Sequence, residues 1–152
     1  MKAHIGWVFL ATALVAADKP DEATKKEKEK LEGTWVAESV TVKGKSNDKL
    51  KGATFNFAGD KVKMEFDGKK QEGTYAIDPT KSPKHIDLTF ERDGRKDLDR
   101  GIYQLDGDTL KLCMRGGSRK VDREGKVEEK LPDRPEKFDP DISLITLKRE
   151  KK

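Results

Sequence analysis

Few residues in this chain have the type and spacing to do chemistry, and they are scattered. Beyond the leader described below, His85 is the one imidazole, and Asp87, two positions on, is the nearest carboxylate. A histidine works as a general base when a nucleophile and an orienting carboxylate lie within reach, and nothing around His85 other than Asp87 supplies either. His85 is therefore read as a surface side chain at the start of a strand. Asp93, Asp97 and Asp99 could converge on a calcium ion, but they lack the spacing of a calcium loop and read as a solvated turn. Cys113 is the only cysteine, so no intrachain disulfide can form. A reactive thiolate there would need a nearby cation, for which Lys111 and Arg115 are the candidates. The default expectation is a buried, inert thiol. No nucleophile, base and oxyanion set can be assembled, so no enzyme is expected, and no metal or cofactor site is recognised.

The elements that would position these residues follow from the chain's organisation. Its 152 residues suit one domain. After Met1-Lys2, an apolar run from Ile5 to Val15 leads into Val15-Ala16-Ala17, a small-residue pattern of the kind signal peptidase cuts. Residues 1–17 are accordingly expected to be a signal peptide cleaved after Ala17, leaving a secreted or periplasmic protein. The run is too short to span a membrane, and no second apolar stretch follows it. Charged residues make up 41% of the chain, yet the net charge is only +4. Between 115 and 141, eight basic residues alternate with eight acidic ones, whereas a nucleic-acid binder would gather its cations on one face. Nucleic acid is excluded as an expected partner.

Residues 18–30, DKPDEATKKEKEK, offer almost nothing to bury and read as a charged linker or one short surface helix. From Leu31 the pattern changes to short runs of period-two alternation separated by glycine and aspartate turns. Eight strands are expected: 34–42, 53–57, 61–66, 71–77, 85–90, 101–105, 109–114 and 142–149. Phe55 and Phe57 share one face, as do Val62, Met64 and Phe66, then Ile86, Leu88 and Phe90, then Leu110, Leu112 and Met114. Asp67-Gly68 and Asp93-Gly94 mark tight turns.

Hairpin-length connections between most of these strands imply an up-and-down meander, and closure into a barrel removes its edges. The expected domain is an all-β, eight-stranded antiparallel barrel over residues 31–150. A barrel of that size is filled by its own side chains or holds one small ligand. Trp35, Phe55, Phe57, Met64, Phe66, Tyr75, Leu88, Phe90 and Leu112 are the residues expected to line the interior. They either meet a small apolar ligand or pack the barrel shut. Ala37, Ala53, Gly73 and Ala76 are small, and any that point inward leave space. A solid barrel would shift the function to its surface, with a protein of the cell envelope as partner.

Gly33-Thr34-Trp35 at the first strand and Lys148-Arg149 at the last resemble the calycin pattern of lipocalins and fatty-acid-binding proteins. The resemblance implies that Trp35 closes the barrel floor and that a basic residue, Arg149 in preference to Lys148, lies across it, a favourable cation–π pair. A longer set resembles a family of small secreted planctomycete proteins known only as a domain of uncharacterised function. The set comprises 31–35, Gly73-Thr74-Tyr75, 83–89, 101–113, Arg134-Pro135 with Phe138, and Leu147-Lys148-Arg149. This resemblance implies a lipocalin-like barrel and carries no activity, ligand or catalytic residue with it.

Overall fold

The computed structural model describes residues 22–92 and 95–151. The expected leader, its cleavage point after Ala17 and the Asp93-Gly94 turn lie outside them. One helix, α1 (Glu22–Leu31), precedes eleven strands. These are β1 (Gly33–Val42), β2 (Lys45–Ser46), β3 (Thr54–Ala58), β4 (Lys61–Phe66), β5 (Lys69–Asp78), β6 (Lys84–Arg92), β7 (Arg95–Asp106), β8 (Thr109–Gly116), β9 (Ser118–Val121), β10 (Val127–Lys130) and β11 (Ser143–Arg149).

Eight of them, β1, β3 to β8 and β11, form a closed antiparallel barrel in which each strand pairs with its sequence neighbour in the set, and β11 returns to β1. Closure leaves no free edge in that set, which is how a long meander avoids pairing with other chains. Register follows the apolar alternation: Phe55 stands opposite Trp35 and Met64, Tyr75 opposite Leu88, and Leu112 opposite Tyr103 and Ile145. Asp67 and Gly68 take φ of +48° and +73°, as a two-residue hairpin turn requires. The inner faces merge into one core that includes Trp35, Phe55, Phe57, Val62, Tyr75, Ile86, Leu88, Phe90, Tyr103, Leu110, Leu112 and Leu147.

Three features depart from the sequence reading. β7 begins at Arg95, six residues before the expected Gly101, because its first half is charged and shows no apolar alternation. The charged 115–141 stretch contains a separate two-stranded hairpin, β9 with β10. Finally, α1 is more than a solvated segment. Its Thr24, Glu27, Lys28 and Leu31 fall on one face, and Glu27 and Leu31 are buried against the barrel.

The space expected from small residues is largely taken. Ala37 and Ala53 are buried in the core, while Ala76 is exposed. A Cβ on Gly73 would lie 2.1 Å from the Thr89 carbonyl oxygen and 2.9 Å from the Phe90 ring, so the absent side chain lets β5 and β6 approach closely rather than opening a void. At Gly101 the corresponding volume belongs to the Met114 sulfur, 2.2 Å away.

Candidate functional site

The barrel has two unlike ends. At one, the chain turns between β3 and β4, β5 and β6, and β7 and β8, and α1 is bonded to all three turns or the strands beside them. Lys28 pairs with Asp60, Glu27 Oε1 accepts from Lys84 Nζ at 2.6 Å and from the Tyr103 hydroxyl at 3.3 Å, and Arg149 Nε lies 3.3 Å from Asp108. Arg149 also donates to the Lys30 and Glu32 carbonyls at the end of α1, and its Cζ sits 4.3 Å from the centroid of the Trp35 ring. The Trp35 indole N–H donates to the Leu31 carbonyl at 2.9 Å. This end is a floor covered by α1, with Ile77 and Leu105 partly exposed at its margin. Carbonyls that a helix C-terminus leaves without intrahelical partners are satisfied here by a guanidinium, which is also the favoured charge at that pole.

Burial at the floor perturbs both tyrosines. Desolvation, with the charges of Asp60 and Glu32 adding to it, pushes the Tyr75 phenol up to about 12. Tyr103 is pushed higher still by desolvation, by the Glu27 charge and by the hydrogen bond it donates to Glu27. The Tyr75 hydroxyl is buried without a hydrogen-bond partner. Its ring meets Phe57 edge-on at 5.0 Å, and Lys28 Nζ stands 5.1 Å from its centroid.

At the opposite end the inward-facing residues stay half-buried. They are Val42, Met64, Phe66 and Ile145, joined by the polar Gln71, Asp97 and Asp99. The inward orientation of the two aspartates follows from register, since Asp97 stands opposite Phe90 and Asp99 opposite Leu88 on the core face. The Asp99 carboxylate occupies the space beside Gly116, where a Cβ would lie 3.2 Å from its Oδ1. These residues belong to the barrel wall, not to a calcium-type loop, and among the described residues no group of three or more His, Cys, Asp or Glu is placed to hold a metal ion.

The residues expected to line the interior therefore divide. Trp35, Phe55, Phe57, Tyr75, Leu88, Phe90 and Leu112 are buried together in the one core, whereas Met64 and Phe66 are half-exposed toward the end opposite α1. Alternation identified the inward-facing set but carries no signal for position along the barrel axis. It also missed Gln71, Asp97 and Asp99, whose polarity hides them from an apolar pattern.

The outer wall across β6, β7 and β8 is covered by residues 131–142. Arg134 anchors this strap, donating to the carbonyls of Gly101 at 2.7 Å and Ile86 at 3.3 Å, while its Nη2 makes a charge contact with Asp87 at 2.8 Å. Beneath it, Cys113 is fully buried with its Sγ 3.8 Å from the Asp139 carbonyl, and desolvation pushes the thiol pKa up. His85 is half-buried, and desolvation and then the neighbouring Arg134 hold its imidazole below the usual range. In the strand register Ile102 stands between His85 and Cys113, and a thiol whose pKa is raised lacks the thiolate character of an activated nucleophile.

Comparison with known proteins adds no relative: no family model, no curated protein and no solved structure matches the chain.

Proposed function

We propose that this chain is an exported, lipocalin-like binding module that takes a small apolar molecule at the end of the barrel opposite α1. The observation that carries this reading is the asymmetry of the inner wall. Side chains facing the axis are buried over most of the floor, with Ile77 and Leu105 partly exposed at its margin, while the far end keeps a group of four half-exposed apolar residues, Val42, Met64, Phe66 and Ile145. An apolar lining with a few polar groups beside it is the usual composition of a small-ligand site, and Gln71, Asp97 and Asp99 supply the polar part. The bound molecule rests on Phe55, Leu88 and Phe90 and does not reach Trp35. The expected leader, 1–17, and the resemblance to small secreted planctomycete proteins agree with a soluble carrier outside the cytoplasm.

A second reading is supported by the β9–β10 hairpin, which pairs with no barrel strand and leaves Val127 42% and Leu131 51% exposed. In that reading the barrel is a solid scaffold and a protein of the cell envelope docks on the hairpin side.

Native mass spectrometry of the protein purified from its own host distinguishes them. Binding at the barrel end gives a population carrying the mass of one small molecule, released by organic solvent. A bare chain in every charge state contradicts it and favours the scaffold reading.

A further inference from the structure

Three of the surface clefts formed by described residues differ in charge. The cleft beneath the strap sets Arg115, Arg134 and Lys137 against Asp133, Glu136 and Asp139, and the one over β3 to β5 sets Lys63 and Lys70 against Glu65, Glu72 and Glu150. The third, of about 360 Å³, lies beside the floor between the β5–β6 loop, the end of β7 and the strap. Its wall holds Lys81 and Lys84 and no carboxylate, and its body is Pro83, Tyr103, Leu105 and Phe138.

We propose that this third cleft is a binding site for a small amphipathic carboxylate, an aryl or short alkyl body bearing one anionic group. The volume is at the small end of the range that ligand pockets occupy. An apolar body packs on Phe138, Pro83 and Leu105, and the carboxylate meets the ammonium groups of Lys81 and Lys84. The site is separate from the half-open barrel end, so it does not depend on the reading given above.

The site is also linked to α1. Lys84 Nζ already donates to Glu27 Oε1 at 2.6 Å while its side chain stays 38% exposed. An ammonium has three donors, so a second carboxylate shares the group with Glu27 and weakens its hold on the helix. Glu27 is itself buried, at 5% exposure, and depends on Lys84, Tyr103 and the more distant Lys30 for compensation. Anion binding in the cleft therefore loosens the middle of α1, and removing the Glu27 charge strengthens anion binding.

The test uses phenylacetate, with phenylacetamide as its neutral counterpart and phenethylamine as its cationic one, followed by amide chemical shifts of the isotope-labelled protein. Phenylacetate shifts 81–84 and 103–105 in a saturable way, at least ten-fold more tightly than either counterpart. Lys81→Gln weakens it several-fold, and Glu27→Gln, which keeps the shape of the side chain, tightens it several-fold. At saturation the amides of α1 exchange faster with solvent while those of β7 and β8 do not. Equal binding of the three probes, shifts centred on 64–66 instead, or indifference to Glu27→Gln each overturns the proposal. The barrel-end reading survives the first and third of these results and gains from the second.

Discussion

The Arg149 guanidinium lies over the Trp35 indole at 4.3 Å while two of its nitrogens bond the Lys30 and Glu32 carbonyls, so one side chain joins the first strand, the last strand and α1. Removing the ring empties a fully buried site, and Trp35→Ala is expected to cost about 3 to 5 kcal/mol. Arg149→Met keeps much of the stem and loses the cation–π contact and both carbonyl bonds, for a loss of about 2 kcal/mol. Arg149→Lys recovers only part of it, since an ammonium cannot span both carbonyls and cover the ring together. Chemical denaturation of the three variants gives these values; an Arg149→Lys variant as stable as the parent would contradict the bidentate role.

Gly73→Ala is expected to destabilise by about 3 kcal/mol or more, because its Cβ would sit 2.1 Å from the backbone oxygen of Thr89, where a neighbouring strand cannot yield as a side chain can. A melting temperature equal to the parent's would show that β5 and β6 are not held this closely.

The two tyrosines, Tyr75 and Tyr103, are the only ones in the chain, so tyrosinate absorbance reports on the barrel floor alone. Both phenols are raised in the folded state, Tyr75 to about 12 and Tyr103 further. Above the unfolded value, about 10, the unfolded chain has lost protons that the folded chain keeps, so stability falls as pH rises through this window. Below about 10 both states are protonated and the two phenols contribute no pH dependence. Alkaline titration should show no tyrosinate near pH 10, then a cooperative rise coincident with loss of structure by circular dichroism. A non-cooperative step near 10 of one residue's amplitude contradicts the burial of that residue.

Cys113 should not react with a disulfide reagent in the native protein, being buried beneath the strap with its thiol pKa raised. Its modification rate should follow global unfolding as denaturant is added, and Arg134→Ala, which frees the strap from the carbonyls of Ile86 and Gly101, should speed it under native conditions. Fast labelling of the untouched parent would show that the strap does not cover the thiol.

All eight barrel strands were legible because each sets an apolar face against a polar one, and turn pairs such as Asp67-Gly68 punctuate them. Such alternation fails where a strand's inward residues are polar, which is why the half of β7 carrying Asp97 and Asp99 was read as a turn. The sequence allows α1 as a short surface helix but does not announce its packing, because beside Leu31 its inner face relies on ion pairs. Glu27 and Lys84 are 57 positions apart, and nothing local to either announces the other. The small residues misled for a related reason: Gly73 gives its volume to a neighbouring backbone, and only the register of β5 with β6 reveals that.

The claim that most needs testing is that the half-open end of the barrel holds an apolar molecule. Titration with N-phenyl-1-naphthylamine, a neutral fluorophore with no anion for Lys81 or Lys84, addresses it directly when the parent is compared with Phe66→Asp, a change at a half-exposed rim position that leaves the floor intact. The account predicts saturable fluorescence enhancement in the parent and a rise in stability of about 2.7 kcal/mol at a hundred times the dissociation constant. It also predicts at least a ten-fold weakening in Phe66→Asp, with the barrel retained by circular dichroism although its melting temperature falls, since Phe66 packs against the core. Absence of binding to the parent, or binding that Phe66→Asp leaves untouched, would contradict it.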